Sequence, residues 1–161
     1  TRSGAVLAVR PVSIADEALL GEFFDRVSDE DRRFRFLTAH RHLTHEQLVP
    51  MVDVDHFRTE SFVAFDEASG QVVGHAMLAC DNPLDTGEVA ISVCQNWRGK
   101  GVGWALLDML AEAAQRRGLR RVIAIEDREN HAAIELEREK GFVPHGVDGD
   151  PTLVMLEKTL R

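Results

Sequence analysis

The chain is poor in the residues that would tie it to an oxidising compartment or to nucleic acid. It has two cysteines, no tyrosine, and 27 acidic against 19 basic residues, for a net charge of −8. Cys80 and Cys94 both lie in apolar runs, which is typical of reduced core thiols in a cytoplasmic protein. The acidic balance disfavours nucleic acid as a partner, because phosphate contacts require positive charge, and it is compatible with a cationic substrate.

Long apolar runs are also absent. No segment has the roughly 20 apolar residues that a membrane helix needs, and none shows the charged start and apolar middle of a signal peptide. We therefore expect no membrane as a partner. A chain of 161 residues is expected to form one domain, residues 1–161, large enough to bury an apolar core.

The most informative segment is a glycine-rich loop between a strand-like run, Glu88–Val93, and an amphipathic helix-like run. Glycine lets backbone N–H groups turn toward a ligand that a Cβ would exclude, and a helix N-terminus adds unpaired N–H donors and a positive dipole end. The loop residues are Arg98, Gly99, Lys100, Gly101, Val102, Gly103 and Trp104. With the two basic side chains, the loop predicts a site for a phosphorylated ligand.

The spacing of the glycines excludes two common phosphate loops. A dinucleotide fingerprint would have its third glycine at Trp104, and a P-loop would have Ser or Thr, not Gly101, after Lys100. What remains, R-G-x-G-x-G after a strand, resembles motif A of the GNAT acetyltransferase superfamily. That resemblance implies that the loop binds the pyrophosphate of acetyl-CoA as co-substrate; a glycine-rich turn without a ligand is the alternative.

A second segment, Asn130 to Phe142, resembles motif B of the same superfamily, in which an Asn opens a helix that ends at Gly-Phe. Asn130 suits an N-cap, and Ala133, Ile134 and Leu136 are expected to pack inward. The resemblance implies that Asn130 and Ala133 contact the pantetheine or diphosphate of CoA, although a plain helix cap would have the same sequence. Many members have a tyrosine at the place of Glu137 as general acid to the CoA thiolate. In this chain the proton must come from water or another group, or the thiolate leaves unprotonated.

The order of predicted elements favours an α/β (α+β) fold with a mixed, mostly antiparallel central sheet flanked by helices, which is also the order of the superfamily. Three helices are expected between the first and second strands: Ile14–Val27, Ser28 to Leu37, and Glu46–Val52. A fourth follows the glycine loop and ends at Gly118, and the fifth is the motif B helix. The expected strands are Ala5–Val12, Ser61–Phe65, Gln71–Ala79, Glu88–Val93, Arg121–Ile125, Phe142–His145 and Thr152–Leu156.

Acetyl transfer to an amine needs a base. A lysine amine titrates near 10.4, so only about one molecule in two thousand is neutral at pH 7. The resemblance implies that this base is a carboxylate on the strand before the CoA loop. The candidates there are Glu88, which we prefer, and Asp85; a solvated carboxylate at the strand end is the alternative. By the same resemblance, a backbone N–H near Ile91 to Val93 would hold the thioester oxygen, where two strands diverge.

Two other groups of reactive residues have weaker patterns. His40, His42 and His45 could bind zinc, but Cys and carboxylate partners at ligand spacing are missing, so a solvated loop or an acceptor entrance is expected instead. Cys94 lies close to the loop, yet no histidine near it in sequence would activate it as a nucleophile. No metal is expected. The run from Asp29 to Arg33 predicts a solvated helix face of mixed charge.

The acceptor is the least determined property. Arg10-Pro11 with Asp16, Ser28-x-x-Asp31-Arg32, and Arg35-Phe36 are similar to the GNAT domain of bacterial protein lysine acetyltransferases. That similarity implies a protein partner with an acceptor lysine, such as an acyl-CoA synthetase. Acetylation of a small-molecule amine and a non-catalytic CoA-binding module are the alternatives, and the chain is expected to be a monomer or a homodimer.

Overall fold

A seven-stranded sheet forms the centre of the molecule. The computed structural model describes residues 4–36, 42–81 and 84–160. The strand order is β1-β2-β3-β4-β5-β7-β6, and every neighbouring pair is antiparallel except β4 and β5. The predicted mixed, mostly antiparallel sheet is therefore confirmed. Its strands are β1 (Leu7–Pro11), β2 (Thr59–Asp66), β3 (Val72–Cys80), β4 (Thr86–Val93), β5 (Arg121–Asp127), β6 (Val143–Val147) and β7 (Asp150–Thr159).

Five helices flank the sheet in the described part of the chain: α1 (Glu17–Asp25), α2 (Asp29–Phe36), α3 (His45–Val52), α4 (Val102–Arg116) and α5 (His131–Glu139). The predicted single helix Ile14–Val27 is wrong at both ends. A 3-10 turn occupies Ile14–Asp16, and α1 ends two residues early because the amide of Arg26 already bonds to Phe23 O. The predicted end of α2 at Leu37 lies outside the described residues.

The two faces of the sheet are covered by different helices. On one face α4 packs so closely on β3 that a Cβ at Gly74 would lie 2.8 Å from Leu106 Cδ1. On the other face the ring of Phe24, from α1, meets the ring of His75, from β3, edge to face at 5.7 Å. Strand residues therefore divide into an α4 side and an α1–α2 side, and this division decides where each side chain of the site points.

Several sequence features near the N-terminus have structural roles. Asp16 accepts hydrogen bonds from the amide of Ser13 at 2.8 Å and from both Arg10 guanidinium nitrogens at 2.8 and 2.9 Å. The Arg10 bond is the main reason that the pKa of Asp16 is lowered to about 2. Ser28 Oγ accepts the amide of Asp31 at the start of α2. These contacts fix the entry into α1 and α2.

The prediction that Asp29 to Arg33 forms a solvated face is wrong for Arg32. This side chain is buried, and its Nη1 donates to the carbonyls of Phe24 and Val27 at 3.0 Å each, which joins the end of α1 to α2. Its ion pair with Asp29 spans i and i+3. The mixed charges in the sequence predict a solvated helix face, and they did not show that one basic side chain is buried and joins two helices.

Within the described residues no helix is long and apolar enough to cross a membrane.

Candidate active site

A cleft opens where β4 and β5 part. The two parallel strands pair over three positions, from Thr86 opposite Arg121 to Glu88 opposite Ile123, and the pairing stops there. The cleft beyond it has a volume of about 1030 Å³ and is bounded by β4, the glycine-rich loop, α5 and the end of β5. The family resemblance implied that two strands diverge near Ile91 to Val93, and the β4–β5 pairing ends just before these residues.

The backbone of β4 presents amides to this cleft. Cys94 N bonds to Val73 O and Asp81 N bonds to Thr86 O, so the even-numbered residues of β4 exchange hydrogen bonds with β3. The odd-numbered residues consequently direct their N–H groups toward the β5 side. Beyond the end of the β5 ladder, these are Val89, Ile91 and Val93, and the family resemblance implies a donor to the thioester oxygen near the last two.

The loop between β4 and α4 has the backbone shape of an anion cradle. Gly99 and Gly101 have φ of 76° and 86°, in the left-handed region that strains residues with a Cβ. Gly101 is the N-cap of α4 and Val102 its first residue. Successive turned amides and the start of a 15-residue helix together give the loop its positive potential.

The side chains of the loop are partly engaged elsewhere. Arg98 Nε lies 3.4 Å from Asp31 Oδ2 on α2, and Lys100 Nζ lies 4.9 Å from the centroid of the Trp97 ring. Trp104 Nε1 donates to Glu139 Oε2 of α5 at 2.9 Å. All seven predicted loop residues line the cleft, and their role in holding CoA stays a prediction.

Helix α5 closes the cleft opposite the loop. Asn130 is its N-cap, with Oδ1 accepting from Ala133 N at 3.4 Å, and Asn130 Nδ2 donates to Glu126 Oε2 at 3.3 Å. Gly103 allows α4 to approach α5, because a Cβ there would lie 3.1 Å from Leu136 Cδ2. Asn130 and Ala133 both line the cleft. Asn130 is therefore a cap that also points one donor into the cleft.

The two candidate bases are in different surroundings. Glu88 lies at the end of the β4–β5 ladder, lines the cleft and is exposed. It shares the α1–α2 side of the sheet with Ala79, its partner on β3. Asp85 precedes β4, lies 3.4 Å from Arg120 Nε and does not line the cleft. The geometry thus favours Glu88, whose role as base remains a prediction.

Several charged residues that line the cleft were not predicted as site residues, and three of them matter for its chemistry. Arg35 of α2, Glu126 of β5 and Glu137 of α5 all line the cleft. Burial lowers the pKa of Arg35, while the charges of Glu88 and Glu126 oppose that shift, so both carboxylates interact electrostatically with the guanidinium. Glu137 is the buried residue of α5, whereas Ala133, Ile134 and Leu136, expected to pack inward, are half-buried. The helical period was the one sequence signal for this burial. Glu137 lies three and four residues after Ile134 and Ala133, so the three residues share one side of the helix.

The other reactive residues lie outside the cleft. His42 and His45 are exposed, pair with Asp25 at 2.8 Å and Glu17 at 2.7 Å, and do not line this cleft; His40 lies outside the described residues. Burial raises the pKa of the Cys94 thiol, whose Sγ donates to Asn96 Oδ1 at 3.0 Å. Such a thiol is poorly suited to nucleophilic attack.

Over residues 4–36, 42–81 and 84–160, no three metal-ligating side chains come together.

Comparison with known proteins agrees with this geometry. Residues 22–142 match the acetyltransferase (GNAT) family. An acetyltransferase of Pseudomonas aeruginosa is 27% identical over 154 residues, which cover 94% of this chain and 83% of that protein. The L-methionine sulfoximine/L-methionine sulfone acetyltransferase of Pseudomonas paraeruginosa is 36% identical over 80 residues, covering 47% of this chain and 46% of that protein.

A solved structure extends the likeness to the whole chain. The GNAT domain of PAT from S. lividans superposes with a TM-score of 0.89 at 26% identity, covering 99% of this chain and 93% of that one.

Proposed function

Because the chain belongs to the GNAT acetyltransferase family and acetyl-CoA is its co-substrate, we propose that it N-acetylates a small molecule that has both a primary amine and a carboxylate. The observation that supports this acceptor is the guanidinium of Arg35, which faces the same cleft as the exposed carboxylate of Glu88. One cation and one anion on the acceptor side match the two ends of an amino acid.

Arg35 is well suited to hold the acceptor carboxylate. Its Nε is buried without a hydrogen-bond partner among the described residues, and its Nη2 has only the sulfur of Met77 at 3.8 Å. The Phe36 ring, with its centroid 4.8 Å from the guanidinium carbon, orients the group. A buried guanidinium donor without an oxygen partner is costly, and a bound carboxylate would offset that cost through charge-assisted hydrogen bonds.

Glu88 takes the proton from the acceptor ammonium in this proposal. The neutral amine then attacks the thioester carbonyl directly, with no acyl-enzyme. A correctly placed base contributes roughly 10² to 10⁴ to the rate. Glu88 lies at the point where the β5 ladder ends, next to the amides of Ile91 and Val93 that would receive the developing oxyanion, so base and oxyanion donors share one short segment.

The loop and α5 hold CoA from two sides. The amides of Gly99 to Gly103 and the start of α4 receive the pyrophosphate, with Arg98 and Lys100 beside it. Trp104 borders the loop, and Asn130 and Ala133 meet the pantetheine arm from α5. The relative with 36% identity, a methionine sulfoximine and methionine sulfone acetyltransferase by name, supports an amino-acid acceptor.

The test compares acceptors that differ only in the carboxylate. L-methionine sulfone and its carboxamide are offered to the purified protein with acetyl-CoA, and free thiol is followed. We expect kcat/KM to be larger for the acid, and Arg35→Gln to abolish that preference by raising KM for the acid alone. Equal rates for acid and amide in the unaltered protein would contradict the proposed role of Arg35.

Acetylation of a protein lysine is the second candidate, and the similarity of the N-terminal residues to bacterial protein lysine acetyltransferases is the reason to consider it. The N-terminal residues behind that resemblance make structural contacts here: Arg10 binds Asp16, and Ser28 caps α2. Because these N-terminal residues stabilise the fold, they do not identify the acceptor. Mass spectrometry of an acyl-CoA synthetase after incubation decides between the two, since lysine acetylation without amino-acid acetylation would favour the second candidate. Acetyl-CoA binding without any transfer would favour a non-catalytic module.

A further inference from the structure

One large apolar side chain of the cleft wall is exposed, and the proposed reaction gives it no role. Ile125 of β5 lines the cleft with 45% of its surface accessible. Glu88 pairs with Ile123 at the end of the β4–β5 ladder, and Ile125 lies two residues further along β5. Because side chains alternate along a strand, Ile125 lies on the same face of the sheet as Glu88, just beyond the last paired position.

Two further apolar residues border the cleft on this face. The register between β5 and β7 places Leu153 on the same side of the sheet as Ile125, and Leu153 lines the cleft. Phe34 lines it from α2, the helix that packs on β4. Between these walls, β4 presents only the methyl group of Ala90, two residues after Glu88. Apolar walls with a few polar groups between them are typical of small-molecule pockets.

The positions of the two polar groups decide where the side chain of a bound amino acid extends. Arg35 Nη2 lies 3.8 Å from Met77 Sδ, and Met77 belongs to β3, so a carboxylate on Arg35 lies on the β3 side of β4. Glu88, on β4 itself, receives the ammonium. β5 flanks β4 on the side opposite β3. A side chain that avoids both ends of the amino acid therefore extends across the gap between the strands, toward Ile125.

We propose that Ile125, with Leu153 and Phe34, forms the pocket for the side chain of the acceptor, so that the protein selects amino acids with a long apolar side chain. The inference rests on the proposed acetylation of an amino acid, and it names the residues that distinguish one amino acid from another. Each methylene of the acceptor that is buried against these residues should raise kcat/KM about fourfold.

The test compares acceptors that differ only in the length of the side chain: glycine, L-2-aminobutyrate and L-norleucine. With acetyl-CoA, kcat/KM should rise in that order. Ile125→Thr keeps the β-branched shape and the strand preference but replaces the apolar end with a hydroxyl. In this variant the ratio of kcat/KM for norleucine to that for glycine should fall roughly fivefold, while kcat/KM for glycine and the Kd of acetyl-CoA stay unchanged.

Val143→Thr is the matched control. Val143 of β6 is an apolar strand residue with 55% of its surface exposed, and it lies outside the cleft. The same substitution there should leave the ratio of norleucine to glycine unchanged. Thermal unfolding of both variants should give Tm values near that of the unaltered protein, because both side chains are exposed.

A second readout does not depend on turnover. Calorimetric titration of the protein with saturating CoA should give a lower Kd for norleucine than for glycine, and only Ile125→Thr should reduce the difference. Equal kcat/KM for the three acceptors in the unaltered protein, or the same ratio in Ile125→Thr and Val143→Thr, overturns the pocket and leaves the proposed function intact. If no amino acid is bound or acetylated, the proposed function has failed, and the pocket is overturned with it.

Discussion

The contact between β3 and α4 predicts a specific effect of adding one methyl group at Gly74. A Cβ built there would lie 2.8 Å from Leu106 Cδ1, 3.2 Å from Val102 Cγ1 and 3.5 Å from Ser92 O. The first distance is shorter than Cβ contacts in proteins reach and the second is tighter than most, and both atoms are side-chain ends on α4. Gly74→Ala must therefore displace these side chains, or the first turns of α4 with them, away from the sheet.

The cost has two opposing terms. Overpacking of this kind destabilises by typically 1–3 kcal/mol, about 2 in the middle of the range. Replacing glycine with alanine returns about 0.4–1 kcal/mol by restricting the unfolded chain. The net loss is about 1–2 kcal/mol, which for a chain of this size lowers Tm by roughly 2–8 °C.

The assay is thermal unfolding alongside Gly146→Ala. Gly146, in β6, has an ordinary φ and no heavy atom within 4 Å of its added Cβ, so the same substitution there should leave Tm unchanged or slightly raised. Because Val102 begins α4, Gly74→Ala should also raise the Kd of acetyl-CoA. Equal Tm values for the two variants would refute the packing argument.

Three further predictions concern the site and the core. Glu88→Gln should lower kcat by roughly 10² to 10⁴ without changing the Kd of acetyl-CoA, whereas Asp85→Asn should leave kcat unchanged; a full rate in Glu88→Gln would remove it as the base. Gly99→Ala adds a Cβ that meets no protein atom within 4 Å but strains the loop backbone at its φ of 76°, so the Kd for acetyl-CoA should rise about tenfold, and an unchanged Kd would contradict the cradle. His75 is fully buried, its Nε2 is 2.7 Å from Ser61 Oγ, and burial lowers its pKa to about 3. The unfolded chain binds this proton more readily, so the free energy of unfolding should fall as pH drops below 6.5, by about 2 kcal/mol between pH 7 and 5; urea titrations that show no such loss, or the same loss in His75→Gln, would disprove it.

Features that are local in sequence could be predicted from it. The strand, loop and helix from Glu88 to Arg116 are contiguous, so alternation, glycine spacing and amphipathic period were enough to place them, and the structure shows these elements there. The N-cap at Asn130 and the capping box of Thr44 and Gln47 are equally local, and both form.

Features that join distant segments could not be predicted from the sequence. Arg35, Glu126 and Glu137 meet in one cleft only because α2, the end of β5 and α5 converge on it, and no periodicity records that convergence. Charged residues on short helices are normally solvated, which is why the burial of Arg32 and Glu137 was missed. The absence of tyrosine is visible in the sequence, whereas the position of Glu126 and Glu137 in one cleft is not.

The most direct test of the central claim is a competition. Purified protein is incubated with acetyl-CoA, L-methionine sulfone and a lysine-bearing acyl-CoA synthetase together, and mass spectrometry locates the acetyl group. We predict N-acetyl amino acid as the main product, lost in Glu88→Gln. Acetylation of the synthetase alone, or thiol release without any acetylated amine, would contradict the account.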